Sequence, residues 1–134
     1  MMNLIPLDNL LNFFAHFIVM LGLTIVFILI YVRVTPHKEF ELIKAGNIAA
    51  ALSLTGAIIG FVLPVGMVIS RSLFVVEAVV WGSIAMFVQL IAFVLVSLLI
   101  RDLANQITAN NIAVGVFFGG SAIAIGIINA ACMS

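Results

Sequence analysis

The stretch Ala-Gly-Asn-Ile-Ala-Ala at residues 45–50 returns as Ala-Asn-Asn-Ile-Ala-Val at residues 109–114, a displacement of 64 positions. Each copy opens a long apolar run, and each follows an earlier apolar run and a short linker that carries charge. The pattern predicts a duplicated pair of helices within a single domain, 1–134. Repeat one covers residues 10–70 and repeat two covers residues 73–134.

The composition is typical of a membrane protein. Of the 134 residues, 66% are hydrophobic and 7% are charged, and the mean hydropathy is +1.43. A soluble domain of this length exposes too much surface to be covered by so few charges. We therefore predict an integral membrane protein that is embedded in, and packs against, the lipid bilayer.

Four segments are long enough to cross a bilayer. A transmembrane helix needs roughly 20 apolar residues, and such runs occupy 10–34, 45–69, 73–100 and 111–132. The runs are continuous and do not alternate with period two, which argues against a β-barrel. The expected fold is all-α, with four transmembrane helices arranged as two hairpins.

Positive charge is concentrated at two of the three connections. Four of the five Lys and Arg side chains flank the first and third connections: Arg33, Lys38, Lys44 and Arg101. The second connection carries Arg71. The positive-inside rule therefore predicts that loops 35–44 and 101–110 are cytoplasmic and that both termini are periplasmic, in a bacterial inner membrane.

Each repeat contains an even number of spans, so the two repeats insert into the membrane with the same orientation. This predicts parallel repeats related by a pseudo-twofold axis along the membrane normal. The second and fourth helices match best at the 64-residue offset, so we expect them nearest the axis. The first and third helices match poorly, so we expect them to face lipid.

Small residues lie at spacings of three and four on the second and fourth helices, which places each set on one helical face. Close backbone approach drives helix association in lipid, so these residues predict a packing seam within the chain or between subunits of a homo-oligomer. A glycine-lined permeation path is the alternative. The glycines assigned to the seam are Gly56, Gly60, Gly115, Gly119, Gly120 and Gly126.

Asn47 and Asn111 occupy equivalent positions where charged linkers give way to apolar runs. An asparagine there can cap a helix by accepting from an otherwise unpaired backbone N–H. The alternative is a symmetric pair of amides at the cytoplasmic mouth of the bundle that binds a head group, a solute or a partner. The repeat symmetry fits both interpretations.

Polar residues within the apolar runs suggest a site for an ion or a solute. Glu77 lies about one turn inside the third helix, where it is either an interfacial acid that stays wet or pairs with Arg71, or a proton or cation site near the outer face. His16 and Asn129 are expected at similar depth, beside Pro64, and one hypothesis is that these residues and Glu77 converge on a small outward-facing cavity. Gln89 lies near mid-membrane, where we expect a hydrogen bond to another helix or a solute contact.

Several classes of function find no support. Equal numbers of basic and acidic residues, five of each, present no basic face for nucleic acid. Cys132 is a single cysteine, and His16 has one nearby acid, so we expect no disulfide, no metal site and no cofactor. No nucleophile–base pair is recognisable, so we predict that the protein is not an enzyme.

The linker 35–44 is either a solvated connector or a docking surface for a cytoplasmic protein or for anionic lipid.

The chain resembles the YjfL-like family of bacterial inner-membrane proteins, which is classed as a domain of unknown function. The resemblance rests on Gly-Asn-Ile-Ala-Ala at 46–50, Trp-Gly at 81–82 and Asn-Ala-Ala-Cys-Met at 129–133, and it covers essentially the whole chain. It implies a four-span inner-membrane protein of two repeats without an established activity. Relatives tend to be encoded near envelope-stress proteins and glutathionylspermidine-synthase-like proteins, and this resemblance implies a role in membrane maintenance.

We therefore predict an oligomeric structural or assembly component, or a membrane anchor, linked to envelope maintenance. The alternative is an oligomeric channel or transporter for a small cation, a proton or a polyamine. Four packed helices fill their core with side chains, so a transport path requires more than one chain.

Overall fold

The computed structural model describes residues 7–35 and 38–133. Six helices form in this part of the chain: α1 (Leu7–Val34), α2 (Glu39–Lys44), α3 (Ile48–Arg71), α4 (Val75–Leu99), α5 (Leu103–Thr108) and α6 (Ile112–Met133). The structure does not describe either end of the predicted domain, residues 1–6 and 134. Positions 36 and 37 of the linker 35–44, the predicted docking segment, also lie outside the described residues.

Four of the described helices, α1, α3, α4 and α6, are long and apolar enough to cross a membrane. The predicted all-α fold with four transmembrane helices is therefore confirmed. Because consecutive long helices cross in opposite directions, α2 and α5 lie at one end of the bundle, which we call the linker end. The α3–α4 connection lies at the other end, which we call the terminal end because α1 begins and α6 ends there.

The two linkers at the linker end have the same local structure. Both contain a six-residue helix, and the two helices are displaced by the 64 positions that separate the sequence motifs. A residue with positive φ follows each helix: Gly46 at +86° and Asn110 at +62°. The Asn47 N–H then donates to the Leu42 carbonyl oxygen at 2.9 Å, and the Asn111 N–H donates to that of Gln106 at 3.0 Å.

The most extensive contact in the bundle joins α3 to α6. Half of an 18-residue apolar stretch of α3 is buried, against 11% of the corresponding stretch of α1, so α3 is the central helix and α1 the peripheral one. We expected α4 to face lipid as α1 does; the buried shares of the corresponding stretches of α4 and α6 are similar, 33% and 28%, so burial does not separate these two helices.

The described contacts do not follow a complete twofold arrangement. The α1–α3 and α4–α6 contacts correspond to each other and are similarly extensive, but α3–α4 has no equally extensive α1–α6 counterpart among the described residues. Among the described residues, α6 therefore packs extensively against α3 and α4 but not against α1. The pseudo-twofold axis stays a prediction.

Aromatic rings join all four long helices. Phe27 of α1 stacks on Phe61 of α3 with ring centroids 4.4 Å apart. Tyr31 of α1 meets Phe93 of α4 edge-on at 5.1 Å, and Phe93 meets Phe118 of α6 at 5.2 Å. These rings are buried, and pairs of this geometry add about 0.5–1.5 kcal/mol beyond the burial of their area.

Candidate functional site

Five of the six glycines assigned to the packing seam lie between α3 and α6. A Cβ on Gly115 would lie 2.7 Å from the Ala49 Cα atom, and a Cβ on Gly56 would collide with the Gly119 backbone. A Cβ on Gly126 would collide with the Gly60 carbonyl oxygen. The two backbones touch along the seam, which is the approach that small residues permit in lipid.

Gly120 lies outside this seam, which corrects its assignment. A Cβ at this position would meet nothing within 4 Å, and the residue is exposed. Each residue of an α-helix advances by about 100°, so Gly119 and Gly120 face in different directions and only Gly119 points toward α3. Gly120 lies instead on an exposed face of α6 that Ala113, Phe117 and Ala124 continue.

The mid-membrane amide of Gln89 bridges α4 to α6. Its Nε2 donates to the Ala122 carbonyl oxygen at 2.9 Å, beside Gly60, where a Cβ would lie 2.6 Å from the same nitrogen. The residue is 3% exposed. Its Oε1 is buried and has no hydrogen-bond partner among the described residues. The contact thus matches the expected inter-helix hydrogen bond.

Asn47 caps α3 and also ties it to the other linker. Its Oδ1 accepts from the Ala50 N–H at 2.8 Å, the geometry of a helix N-cap. Its Nδ2 donates to the carbonyl oxygens of Ile107 at 2.8 Å and Thr108 at 3.3 Å. Because both ends of this buried amide are occupied, Asn47 presents no free group to a solute.

Asn111 is the repeat equivalent of Asn47 but lies in a different environment. It is exposed, and its Oδ1 accepts from the Val114 N–H at 3.4 Å, a longer contact. Its Nδ2 donates to the Gln106 Oε1 at 2.9 Å, within its own linker. The two amides are therefore separate caps and do not form a symmetric pair at a common mouth.

Glu77 lines a cavity of about 160 Å³ at the terminal end of the bundle. Arg71, the last residue of α3, lines the same cavity, as do Trp81 of α4 and Cys132 of α6. The side chains of opposite charge are both exposed. The sequence indicated Glu77 as a candidate site residue and Arg71 as a candidate partner for it, but it gave no reason to place Cys132 beside them.

His16 lies in a neighbouring groove and not in the Glu77 cavity. The groove has a volume of about 350 Å³ and lies between α1 and the end of α3. The His16 Nδ1 bonds to the Asn12 carbonyl oxygen at 2.8 Å, so this nitrogen carries the proton. Ser72 lines both the groove and the Glu77 cavity, which makes the two spaces adjacent.

Asn129 does not join these groups. It is buried on α6 and lines neither cavity, and its Nδ2 has no partner among the described residues. The expected convergence of Glu77, His16, Asn129 and Pro64 on one outer cavity is therefore not observed. In the described part of the chain, no group of three His, Cys, Asp or Glu side chains could hold a metal ion.

Glu39 is a buried acid within the linker, and the sequence pattern did not mark it as a candidate site residue. It is 1% exposed, and its carboxylate lies within electrostatic range of the Tyr31 hydroxyl, which is close to Ser53. The repeat offset of 64 positions could have indicated the burial of Glu39, because it pairs Glu39 with the apolar Leu103. Leu103 is also buried in the structure. On the outward side of the same helix, Phe40, Glu41 and Lys44 are exposed.

The sequence has close relatives in a family without an assigned function. A family profile described as "Domain of Unknown Function (DUF350)" matches residues 4–133. The chain is 40% identical over 128 residues to the "UPF0719 inner membrane protein YjfL" of Escherichia coli strain K12, covering 96% of this chain and 97% of the relative. The protein of the same name from Escherichia coli O157:H7 matches equally well. No solved structure shows significant similarity. With four membrane-spanning helices and these relatives, the chain belongs to the DUF350 family and is an inner-membrane protein.

Proposed function

We propose that the protein is an oligomeric structural or assembly component of the inner membrane, in which a second copy packs against the outer face of α6. The observation that carries this proposal is that face itself, formed by Ala113, Phe117, Gly120 and Ala124, all exposed. Gly120 and Ala124 are small residues spaced by four, an arrangement that favours close helix packing in lipid.

The repeat offset supports a protein partner for this face. Its residues are the repeat equivalents of a set on α3 that lies in the internal seam: Ala49, Ser53, Gly56 and Gly60. On α3 this face is covered by α6, whereas on α6 its residues are exposed and a Cβ on Gly120 would meet nothing within 4 Å. The face is thus buried on α3, inside the chain, whereas its repeat equivalent on α6 is exposed.

The closed centre of the bundle also favours assembly over transport by a single chain. Glycines bring the backbones of α3 and α6 into contact, and the aromatic rings fill the space near the linker end. The mid-membrane Gln89 amide is bound to Ala122. A role in envelope maintenance, which the family resemblance implies, remains part of the proposal.

Gly120→Leu tests the proposal, with Gly22→Leu as the matched control. At both glycines a Cβ would meet nothing within 4 Å, and both residues lie in long helices. We expect Gly120→Leu to remove the oligomer in native mass spectrometry of protein released gently from membranes, and Gly22→Leu to retain it. A discrete oligomer that survives Gly120→Leu, or a native protein that is monomeric, contradicts the proposal. A stoichiometric complex with a different protein would identify α6 as an anchor for that partner instead.

Transport of a small cation, a proton or a polyamine is a second candidate, favoured by the charged cavity around Glu77. It also requires an oligomer, with the path at a subunit interface or between the repeats. In proteoliposomes, Glu77→Gln should then reduce a measured flux of protons or polyamine. If a flux exists and Glu77→Gln leaves it unchanged, this assignment of the site is wrong.

A further inference from the structure

The cavity around Glu77 combines both signs of charge at a membrane surface. Arg71 ends α3 and Glu77 lies in the first turn of α4, separated by a three-residue connection at 72–74. Within the described ranges, an ion pair joins Lys38 to Glu41 at the opposite end of the bundle, and none within 4.0 Å joins Arg71 to Glu77. The guanidinium and the carboxylate therefore line one cavity without forming a direct ion pair.

The surroundings place this cavity at the level of lipid head groups. The connection beside it exposes Leu73 and Phe74, at 80% and 71% of their surface, which is favourable where the chain meets the bilayer. Trp81 lines the cavity and is 45% exposed, and tryptophan concentrates at membrane–water interfaces. The volume of about 160 Å³ is below the roughly 300–1,000 Å³ of ordinary small-molecule pockets, so the space fits a small charged group.

A track that becomes apolar with depth leads from this cavity toward the middle of the membrane. The adjoining groove shares Ser72 with the cavity and has a mixed lining. Its polar residues include Asn12, His16 and Ser70, and its apolar residues include Phe13, Phe17 and Met20. Phe17 and Met20 also line a third space of about 220 Å³ between α1 and Val62 of α3, where the lining is almost wholly apolar. The surface thus changes from charged to apolar along the direction of a lipid molecule.

We propose that the cavity and the groove together bind one aminophospholipid, with its phosphate at Arg71, its primary ammonium at Glu77 and an acyl chain between α1 and α3. Guanidinium groups bind phosphate through charge-assisted hydrogen bonds of fixed geometry. A primary ammonium has N–H groups that a carboxylate accepts, whereas the quaternary ammonium of a choline head group has none. A purely anionic head group would place negative charge beside Glu77. This inference is independent of the oligomer proposed above.

Lipid retention by the full-length protein tests the proposal. In native mass spectrometry from detergent, phosphatidylethanolamine and phosphatidylcholine with identical acyl chains are supplied in competition. We expect the native protein to prefer phosphatidylethanolamine by about tenfold or more, the equivalent of one hydrogen bond to a charged group. Glu77→Gln should abolish this preference, and Arg71→Gln should lower the retention of both lipids. Equal retention by the native protein, or a preference that survives Glu77→Gln, overturns the assignment.

A second pair of variants tests the groove. Gly66 lies on α3 with a Cβ position 3.6 Å from the Met20 side chain, so Gly66→Leu should narrow the track without changing any charge. We expect it to lower retention of both lipids severalfold, and Gly22→Leu to have no effect. If soluble phosphoethanolamine competes as well as the lipid does, the site binds a free head group and the lipid assignment is wrong.

Cys132 provides a readout within the cavity itself. It is an exposed free thiol that lines the same space as Glu77. Phosphatidylethanolamine should slow its alkylation by N-ethylmaleimide in the native protein but not in Glu77→Gln, with circular dichroism confirming that both proteins are equally helical. An alkylation rate that phosphatidylethanolamine leaves unchanged in the native protein contradicts the proposal.

Discussion

The Nδ2 of Asn47 donates a 2.8 Å hydrogen bond to the carbonyl oxygen of Ile107, which joins the start of α3 to the end of α5. The reverse connection is also present, since the Asn110 Oδ1 accepts from the Ala49 N–H at 3.0 Å. The repeat equivalent of Asn110 is Gly46, which has no side chain to offer. The linkers are therefore locked together by contacts that the internal repeat does not duplicate.

Asn47→Ala should destabilise the protein more than Asn111→Ala, although the two residues occupy equivalent positions. Loss of the cap costs about 1 kcal/mol, and loss of the buried bond to Ile107 adds about 1 kcal/mol or more. We expect a total of about 2 kcal/mol or more for Asn47→Ala and less than about 1 kcal/mol for the exposed Asn111→Ala. Reversible unfolding in mixed micelles measures both, and equal losses would contradict the asymmetry of the linkers.

Gly119→Ala and Gly120→Ala should have opposite consequences although the residues are neighbours. A methyl group on Gly119 collides with the Leu52 carbonyl oxygen, whereas one on Gly120 enters open space. We expect Gly119→Ala to lower the free energy of unfolding by about 2 kcal/mol, as overpacking does, and Gly120→Ala to change it by less than about 1 kcal/mol. Unfolding in micelles is the measurement, at a concentration where the protein is monomeric. Similar losses from both variants would show that α6 is rotated differently.

Gln89→Met should remove the bridge between α4 and α6 while nearly conserving side-chain volume. An inter-helix hydrogen bond in a membrane contributes about 1 kcal/mol, and we expect a loss of that size. Gln89→Met should also reduce the additional penalty of Gly60→Ala, because a Cβ on Gly60 would press on the Gln89 amide. A double-mutant cycle provides the test, and strictly additive effects would exclude the coupling.

Cys132 labelling tests the predicted orientation. The thiol is exposed at the terminal end, which the positive-inside rule places in the periplasm. A membrane-impermeant maleimide should therefore label Cys132 in spheroplasts without permeabilisation. The control is Ala109→Cys in a Cys132→Ser background, at an exposed position of the linker end, which should be labelled only after permeabilisation. The opposite pattern would invert the topology.

The local chemistry of the linkers was accessible from the sequence because it depends on near neighbours. An asparagine before an apolar run predicts a cap, and Asn47 and Asn111 both accept from the backbone three residues on. The environment of Glu39 was not accessible in the same way. Its burial depends on α2 folding back over the bundle near Tyr31 and Ser53, which are distant along the chain.

The number and length of the spans were determined by the sequence alone, because a helix that crosses hydrocarbon must be apolar for roughly 20 residues. The rotation of each helix was decided only by the tertiary structure. In water, polar residues mark the outer face of a helix, but in lipid both faces are apolar and carry no such mark. Small residues line α6 on two sides, and only backbone contact with α3 selected the face of Gly119 over that of Gly120. The same packing brought Cys132 of α6 into one cavity with Arg71 and Glu77, which lie close together along the chain.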